Sequence, residues 1–349
     1  MKTKWGVLGS GGIALRRTIP EGITKADNAR LVSVYDVNAT ANQEVAEKFG
    51  AVACKSEEEL LASDCNVVYI ATPVDVHCDQ VLRTAKAGKH VFCEKPLGLT
   101  VAEAEKVVAV CRSNNVKLGV GLMMRFHAYH REALRLVQDG RIGTPILGRA
   151  QLSCWYPPIE GAWRQDPARG GGGSLMDMGS HCIDLLEMFF GRTKTVCCLA
   201  GNLVHDYRSE DTAVVLLEFE NGAKGVVDNL FNVPDASSKN RLELYGSQGS
   251  ILAEGTIGQG EAGEMVAYLE ELGKAYDAQQ ARDEAGGLRI APEPVNMYRA
   301  EVEAFSQAVL DDTAAPVGGE LGLWSQKVLA AAYESAATGK TISLEALNK

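Results

Sequence analysis

From Trp5 to Gly121 the chain repeats one pattern, a short run apolar at nearly every position, then a turn, then a stretch of helical periodicity. The apolar runs fall at 5–8, 31–35, 67–71, 90–93 and 117–121, with helical stretches after the first, at 38–49, 75–87 and 100–113. A strand that alternates apolar and polar residues has one wet face; a strand apolar throughout is buried on both. Such strands separated by helices require a parallel sheet with helices on each side, a doubly wound α/β domain. Local signals agree with these boundaries. Gly50 and Gly88 stand where helices should stop, and Ser56 with Glu59 has capping-box spacing at the start of a short helix.

The pattern changes after residue 122. A helix at 127–138 leads into strand-like segments at 146–155, 195–204, 212–219, 224–231, 241–245 and 250–253. Turn signals such as Glu220-Asn221-Gly222 join consecutive strands, so a large, mostly antiparallel sheet is expected. Helices at 174–190, 296–310 and 320–337 make this second domain α+β. The expected division is 1–122 for a Rossmann domain and 123–349 for a domain of substrate binding and oligomerisation. Residues 255–294 have weak periodicity and receive no assignment.

The formal net charge is −10. Nucleic acid and anionic membrane surfaces attract basic patches, so neither is expected as a partner. The first residues lack a signal-peptide pattern, and no segment approaches membrane-spanning length. The nine cysteines form no CxxC pair, and several sit inside apolar patterns, as buried reduced thiols do. These features point to the cytoplasm and to neither a disulfide nor a zinc framework.

Gly9-Ser10-Gly11-Gly12-Ile13-Ala14 follows the first strand and matches G-x-G-x-x-G/A. Its glycines permit a tight turn and let backbone N–H groups approach a pyrophosphate at a helix N-terminus. Asp36 ends the second strand, where a carboxylate accepts hydrogen bonds from the adenosine ribose hydroxyls and repels a 2′-phosphate. The expected cofactor is therefore NAD rather than NADP. The other reading of Asp36, a cap for the next helix, stays open on sequence alone. Lys95 follows the strand at 90–93, and ligands of open α/β sheets bind outside the carboxyl ends of strands. Pro96 would fix the turn that aims it.

With Glu94-Lys95-Pro96 in view, the chain resembles the glucose–fructose oxidoreductase / inositol dehydrogenase / MocA family over nearly its whole length. The resemblance rests on the glycine turn, Ala71-Thr72-Pro73 with His77, Glu94-Lys95-Pro96, Arg125, Trp163-Arg164 and the segment from Gly172 to Asp184. It implies Rossmann and antiparallel-sheet domains, and oxidation or reduction of a carbon of a sugar, glycoside or cyclitol. It also implies that Thr72, Pro73, His77, Glu94, Lys95, Arg125, Trp163 and Arg164 lie along the cofactor. Lys95, Asp177 and His181 would form the catalytic set, and a homodimer or homotetramer is expected. Other activities compatible with the resemblance are an NAD-dependent glycosidase acting through transient oxidation and a non-enzymatic NAD-binding regulator.

Independently of the resemblance, Asp177 and His181 stand four apart on an expected helix and so share a face. A carboxylate beside an imidazole raises its basicity and holds its orientation, as a proton acceptor for an alcohol requires. A surface Asp–His pair is the plainer alternative. Trp155 offers a flat face to a sugar ring, as packing aromatics also do. Lys95, Trp155, Asp177 and His181 are the expected substrate contacts. No further His, Cys, Asp or Glu has spacing suited to a metal.

Overall fold

The computed structural model describes residues 1–270, 278 and 286–345. These divide into two compact units. The first contains residues 1–123, 163–171 and 296–327, and the second residues 124–162, 172–295 and 328–349. The grouping is not the linear cut at 122/123 expected above, because two later segments return to the first unit.

In the first unit, β1 (Thr3–Leu8), β2 (Ala29–Tyr35), β3 (Val52–Ala53), β4 (Val67–Ile70), β5 (His90–Glu94) and β6 (Leu118–Gly121) form a parallel sheet. Its order is β3-β2-β1-β4-β5-β6, the doubly wound arrangement with its switch point between β1 and β4. Local chemistry sets the helix limits. The Asn38 side chain accepts from Ala41 N–H to start Ala39–Phe49, and Gly50 ends it at φ +67°. Ser56 caps Glu57–Ala62 and Thr100 caps Val101–Ser113 in the same way.

The returning helix Met297–Leu310 packs on β1 and β2. Its Phe305 lies 6.0 Å from the Trp5 ring and 5.2 Å from Phe92, all three essentially buried. A β-carbon at Gly119 would sit 2.6 Å from Phe305, so the ring occupies room that only glycine leaves. This aromatic cluster joins residues nearly three hundred positions apart, which explains why a linear reading missed the helix's allegiance.

The second unit is built on β7 (Pro145–Ser153), β8 (Thr193–Gly201), β9 (Thr212–Phe219), β10 (Lys224–Leu230), β11 (Arg241–Gly246), β12 (Gly249–Glu254), β13 (Glu264–Leu269), β14 (Leu288–Ile290) and β15 (Ile342–Ser343). Their order is β14-β13-β12-β11-β7-β10-β9-β8-β15, antiparallel except for the β7–β10 pair. β13 and β14 belong to the stretch left unassigned; residues 271–277 and 279–285 of it lie outside the described residues. The helix Ser180–Phe190 packs on β7 and β10, with Phe190 and Leu186 against Gly148. On the opposite face Leu199, Val214 and Leu216 are exposed.

The nine cysteines are free. Among the described residues no group of His, Cys, Asp and Glu could hold a metal, and no helix is long and apolar enough to cross a membrane.

Candidate active site

The glycine turn closes β1 against the end of β4. Gly9 has φ +80°, and a β-carbon there would meet the Ala71 carbonyl carbon and Thr72 N at 2.9 Å. Gly12 has φ +53° with nothing within 4 Å of the place its β-carbon would take, so the turn is open at that point. Ser10 is fully buried with its hydroxyl toward Asn42. The helix after the turn, Ala14–Ile23, is wound wide, with Thr24 N–H reaching back five residues to Ile19 O. Pro20 within it has no N–H to give to a regular turn. Asp36 Oδ2 accepts Gly11 N–H at 3.0 Å and Oδ1 accepts Asn38 N–H at 2.9 Å. Asp36 therefore braces the glycine turn, while the helix cap itself is Asn38. Val37 beside it is 91% exposed and supplies no cation.

Thr72 and Pro73 follow β4, and Lys95, half-buried, follows β5 on the same edge of the sheet. Two of the expected cofactor contacts also have partners inside the protein. The His77 ring, 1% exposed, lies 2.8 Å from Pro96 O through Nδ1 and 2.8 Å from Thr72 O through Nε2. It ties the turn after β4 to the turn carrying Lys95. Burial lowers its basicity, and the two carbonyl oxygens oppose that shift. The Glu94 carboxylate is turned inward, accepting from the Tyr69 hydroxyl at 2.5 Å in the room left by Gly121. Thr18 Oγ1 lies 3.0 Å from the same phenol. Glu301, 3% exposed, is held well above the ordinary carboxyl range by burial and then by the charge of Glu94. The site reading missed Tyr69, inside the apolar run 67–71, and Glu301, one of several polar residues of a helical stretch.

Trp163 and Arg164 form a short turn of the first unit, with the guanidinium carbon 4.1 Å from the Trp163 ring centroid. A stacked guanidinium of this kind keeps its donor edge for hydrogen bonds.

In the second unit Asp177 lies in a wide turn, Leu175–Gly179, and His181 in the α-helix Ser180–Phe190 that continues it. Ser180 N–H reaches back five residues to Leu175 O. The regular spacing assumed for the pair thus does not hold across this junction. Such wide turns are uncommon and concentrate at functional positions. His181 is 7% exposed, and Asp177 is half-buried.

The Arg125 guanidinium, expected along the cofactor, grips Asp184. Nε lies 2.9 and 2.8 Å from the two carboxylate oxygens, and Nη2 is 2.8 Å from Oδ1. Asp184 is 2% exposed, which makes this a buried pair on the helix of His181. Trp155 is 44% exposed and meets His205 edge-to-face at 5.0 Å. Asp211 shapes the loop bearing His205 by accepting N–H bonds from Leu203, Val204 and His205, which hold its carboxyl down at about 2. Glu210, beside it, went unnoticed in the sequence, as did Tyr333; both contact the backbone just ahead of Asp177.

Comparison with known proteins adds to this geometry. A family model described as an oxidoreductase family with NAD-binding Rossmann fold matches residues 3–122, and one described as a GFO/IDH/MocA C-terminal domain matches residues 130–252. The D-xylose 1-dehydrogenase (NADP(+)) 2 of Haloferax volcanii is 30% identical over 347 residues, spanning 98% of this chain and 99% of its own. The 1,5-anhydro-D-fructose reductase of Ensifer adhaerens is 27% identical over 346 residues, 98% of each chain. Among solved structures, an aldose-aldose oxidoreductase from Caulobacter crescentus, complexed with glycerol, aligns at TM-score 0.87 and 26% identity, covering 98% of this chain and 100% of that one.

Proposed function

The chain belongs to the GFO/IDH/MocA family of oxidoreductases, and from that premise we propose that it is an NAD-linked dehydrogenase working on a secondary alcohol or ketone of a sugar, glycoside or cyclitol. The observation that carries this reading is the carboxyl edge of β1, β2 and β5, where an open glycine turn, Asp36 and Lys95 lie on one rim of the sheet. The residues fit a dinucleotide. The space at Gly12 that a β-carbon would fill is free for a pyrophosphate, and Asp36 stands where a ribose diol would be met. Asp36 with the uncharged Val37 favours NAD over NADP, because a 2′-phosphate would face a carboxylate and Val37 offers it no cation. The carbohydrate class is supported by the names of the relatives.

Bound NAD supplies the hydride acceptor. The remaining chemistry is assigned to this chain's residues. His181 takes the proton of the alcohol in oxidation and returns it in reduction. Lys95 donates a hydrogen bond to the reacting oxygen and stabilises the negative charge that develops there. Asp177 orients a substrate hydroxyl or the His181 ring. Arg164 stacked on Trp163 is proposed as a phosphate or ribose contact, and Trp155 as a platform for the sugar ring.

The test is a panel of sugars, cyclitols and glycosides with NAD, following absorbance of the reduced cofactor. On a substrate so found, His181→Ala should lose about 10²–10⁴-fold in kcat, the usual contribution of a positioned acid/base, with NAD affinity unchanged. Lys95→Ala should also depress kcat. Near-normal turnover in both variants would refute the assignment.

A further inference from the structure

Four consecutive backbone N–H groups open the segment that bears Asp177 and His181, and two residues satisfy all four. Gly173 N–H donates to both carboxylate oxygens of Glu210 at 2.9 Å, and Leu175 N–H donates to Glu210 Oε1 at 2.9 Å. Ser174 N–H donates to the Glu210 carbonyl at 3.0 Å. Met176 N–H donates to the Tyr333 hydroxyl at 3.1 Å, and that hydroxyl donates in turn to Glu210 Oε1 at 2.9 Å. The first bond within the segment, Asp177 N–H to Gly173 O at 2.9 Å, begins immediately after. A helix ordinarily leaves its first four N–H groups without internal partners; here each has one, drawn from the loop before β9 and from the helix Gly319–Thr338.

We propose that Glu210 and Tyr333 are positioning residues for the acid/base pair, acting through the backbone of residues 173–176. The proposal rests on the assignment of Asp177 and His181 to the chemistry. Leu175 is the pivot. Its N–H is held by Glu210, and its carbonyl accepts the five-residue bond from Ser180 that makes the turn wide. Were that turn to tighten to regular α geometry, the helix beyond it would rotate by roughly 100°, one residue's share of a turn, and carry His181 with it. Anchoring Leu175 from outside keeps the wide winding.

The glycines upstream support this. A β-carbon at Gly172 would lie 1.9 Å from the Tyr333 hydroxyl, and one at Gly173 would lie 2.0 Å from the Glu210 carbonyl oxygen. The glycine run thus serves the close approach of these two braces. The Glu210 carboxylate also offsets the partial positive charge of the helix start, which makes this end a closed anchor and not an anion site.

Tyr333→Phe keeps the ring and removes only the hydroxyl; Glu210→Gln keeps the shape and removes the charge. Each would be assayed for kcat, substrate KM, NAD Kd and thermal midpoint, with His181→Ala alongside. The expected result is a kcat lower by about 10–100-fold in both, the scale of a misplacement near 1 Å, with NAD Kd unchanged in proteins still folded at the assay temperature. Wild-type kcat in both folded variants, with His181→Ala inactive, would overturn the positioning role while leaving the function standing. A loss of kcat matched by an equal loss of NAD affinity would also overturn it, because general loosening moves both. An active His181→Ala would remove the premise.

Discussion

Replacing Arg125 by Met separates a structural brace from a cofactor ligand. Asp184, 2% exposed, has its carboxylate gripped by the Arg125 guanidinium at 2.8–2.9 Å. Burial still lifts the Asp184 carboxyl above its ordinary range, with Arg125 pulling the other way. Removing the guanidinium leaves a carboxylate in a site with no counter-charge, a loss of about 3–5 kcal/mol for breaking a buried pair. At roughly 2–4 °C per kcal/mol for a unit of this size, the thermal midpoint of the second unit should fall by roughly 6–20 °C. The deficit should also depend on pH. In the variant the folded state holds a proton on Asp184 that the unfolded chain releases near pH 4, so stability falls as pH rises from there through the raised folded pKa. Calorimetry at pH 5 and pH 8 should therefore show the larger deficit at pH 8. The double variant Arg125→Met with Asp184→Leu should recover most of the loss, since an apolar pair needs no charge balance. NAD titration should be unchanged throughout. An unaltered midpoint with NAD affinity weakened tenfold would refute this reasoning and return Arg125 to the cofactor.

Asp36→Ser should narrow the preference for NAD over NADP, measured as the ratio of kcat/KM values; equal efficiency with both in the unmodified protein would contradict the reading of Asp36. Glu301→Gln concerns a buried acid whose folded pKa is raised, so the parent loses stability as pH climbs above about 4.3 and the variant does not. Denaturant midpoints should favour the variant increasingly from pH 5 to pH 8, and a pH-independent difference would refute it. The exposed apolar strip of Leu199, Val214 and Leu216, in which Leu199 pairs with Val214 across β8 and β9, suits burial against a second copy. Sedimentation should give a dimer or larger that Leu216→Asp disrupts; a monomeric parent at micromolar concentration would rule this out.

The sheet of the first unit was legible because buried parallel strands leave a signal within five residues, and the glycine turn adds a local one. The helix Met297–Leu310 was legible as a helix but not as part of that unit. Its place depends on Phe305 meeting Trp5 and Phe92, and nothing nearby in sequence encodes the partner. The candidate site divides in the same manner. Asp36 and Lys95 could be placed from the strand ends they follow. The winding at 175–179 could not, because it depends on Glu210 and Tyr333, which are brought in from separate elements.

Three polar side chains expected as cofactor contacts also have partners within the protein itself. His77, Glu94 and Arg125 each bind a buried group of the protein: the His77 ring lies between the carbonyls of Thr72 and Pro96, Glu94 accepts from the Tyr69 hydroxyl, and Arg125 donates to the Asp184 carboxylate. Leaving such a group without a partner costs about 1–3 kcal/mol, and more when it is charged. A loop that presents Lys95 to a ligand must spend neighbouring polar side chains on its own backbone and core. On the proposed function, a motif such as Glu94-Lys95-Pro96 mixes a residue assigned to the ligand with residues that hold it in place. Spacing alone does not separate the two kinds; the partner each side chain reaches does.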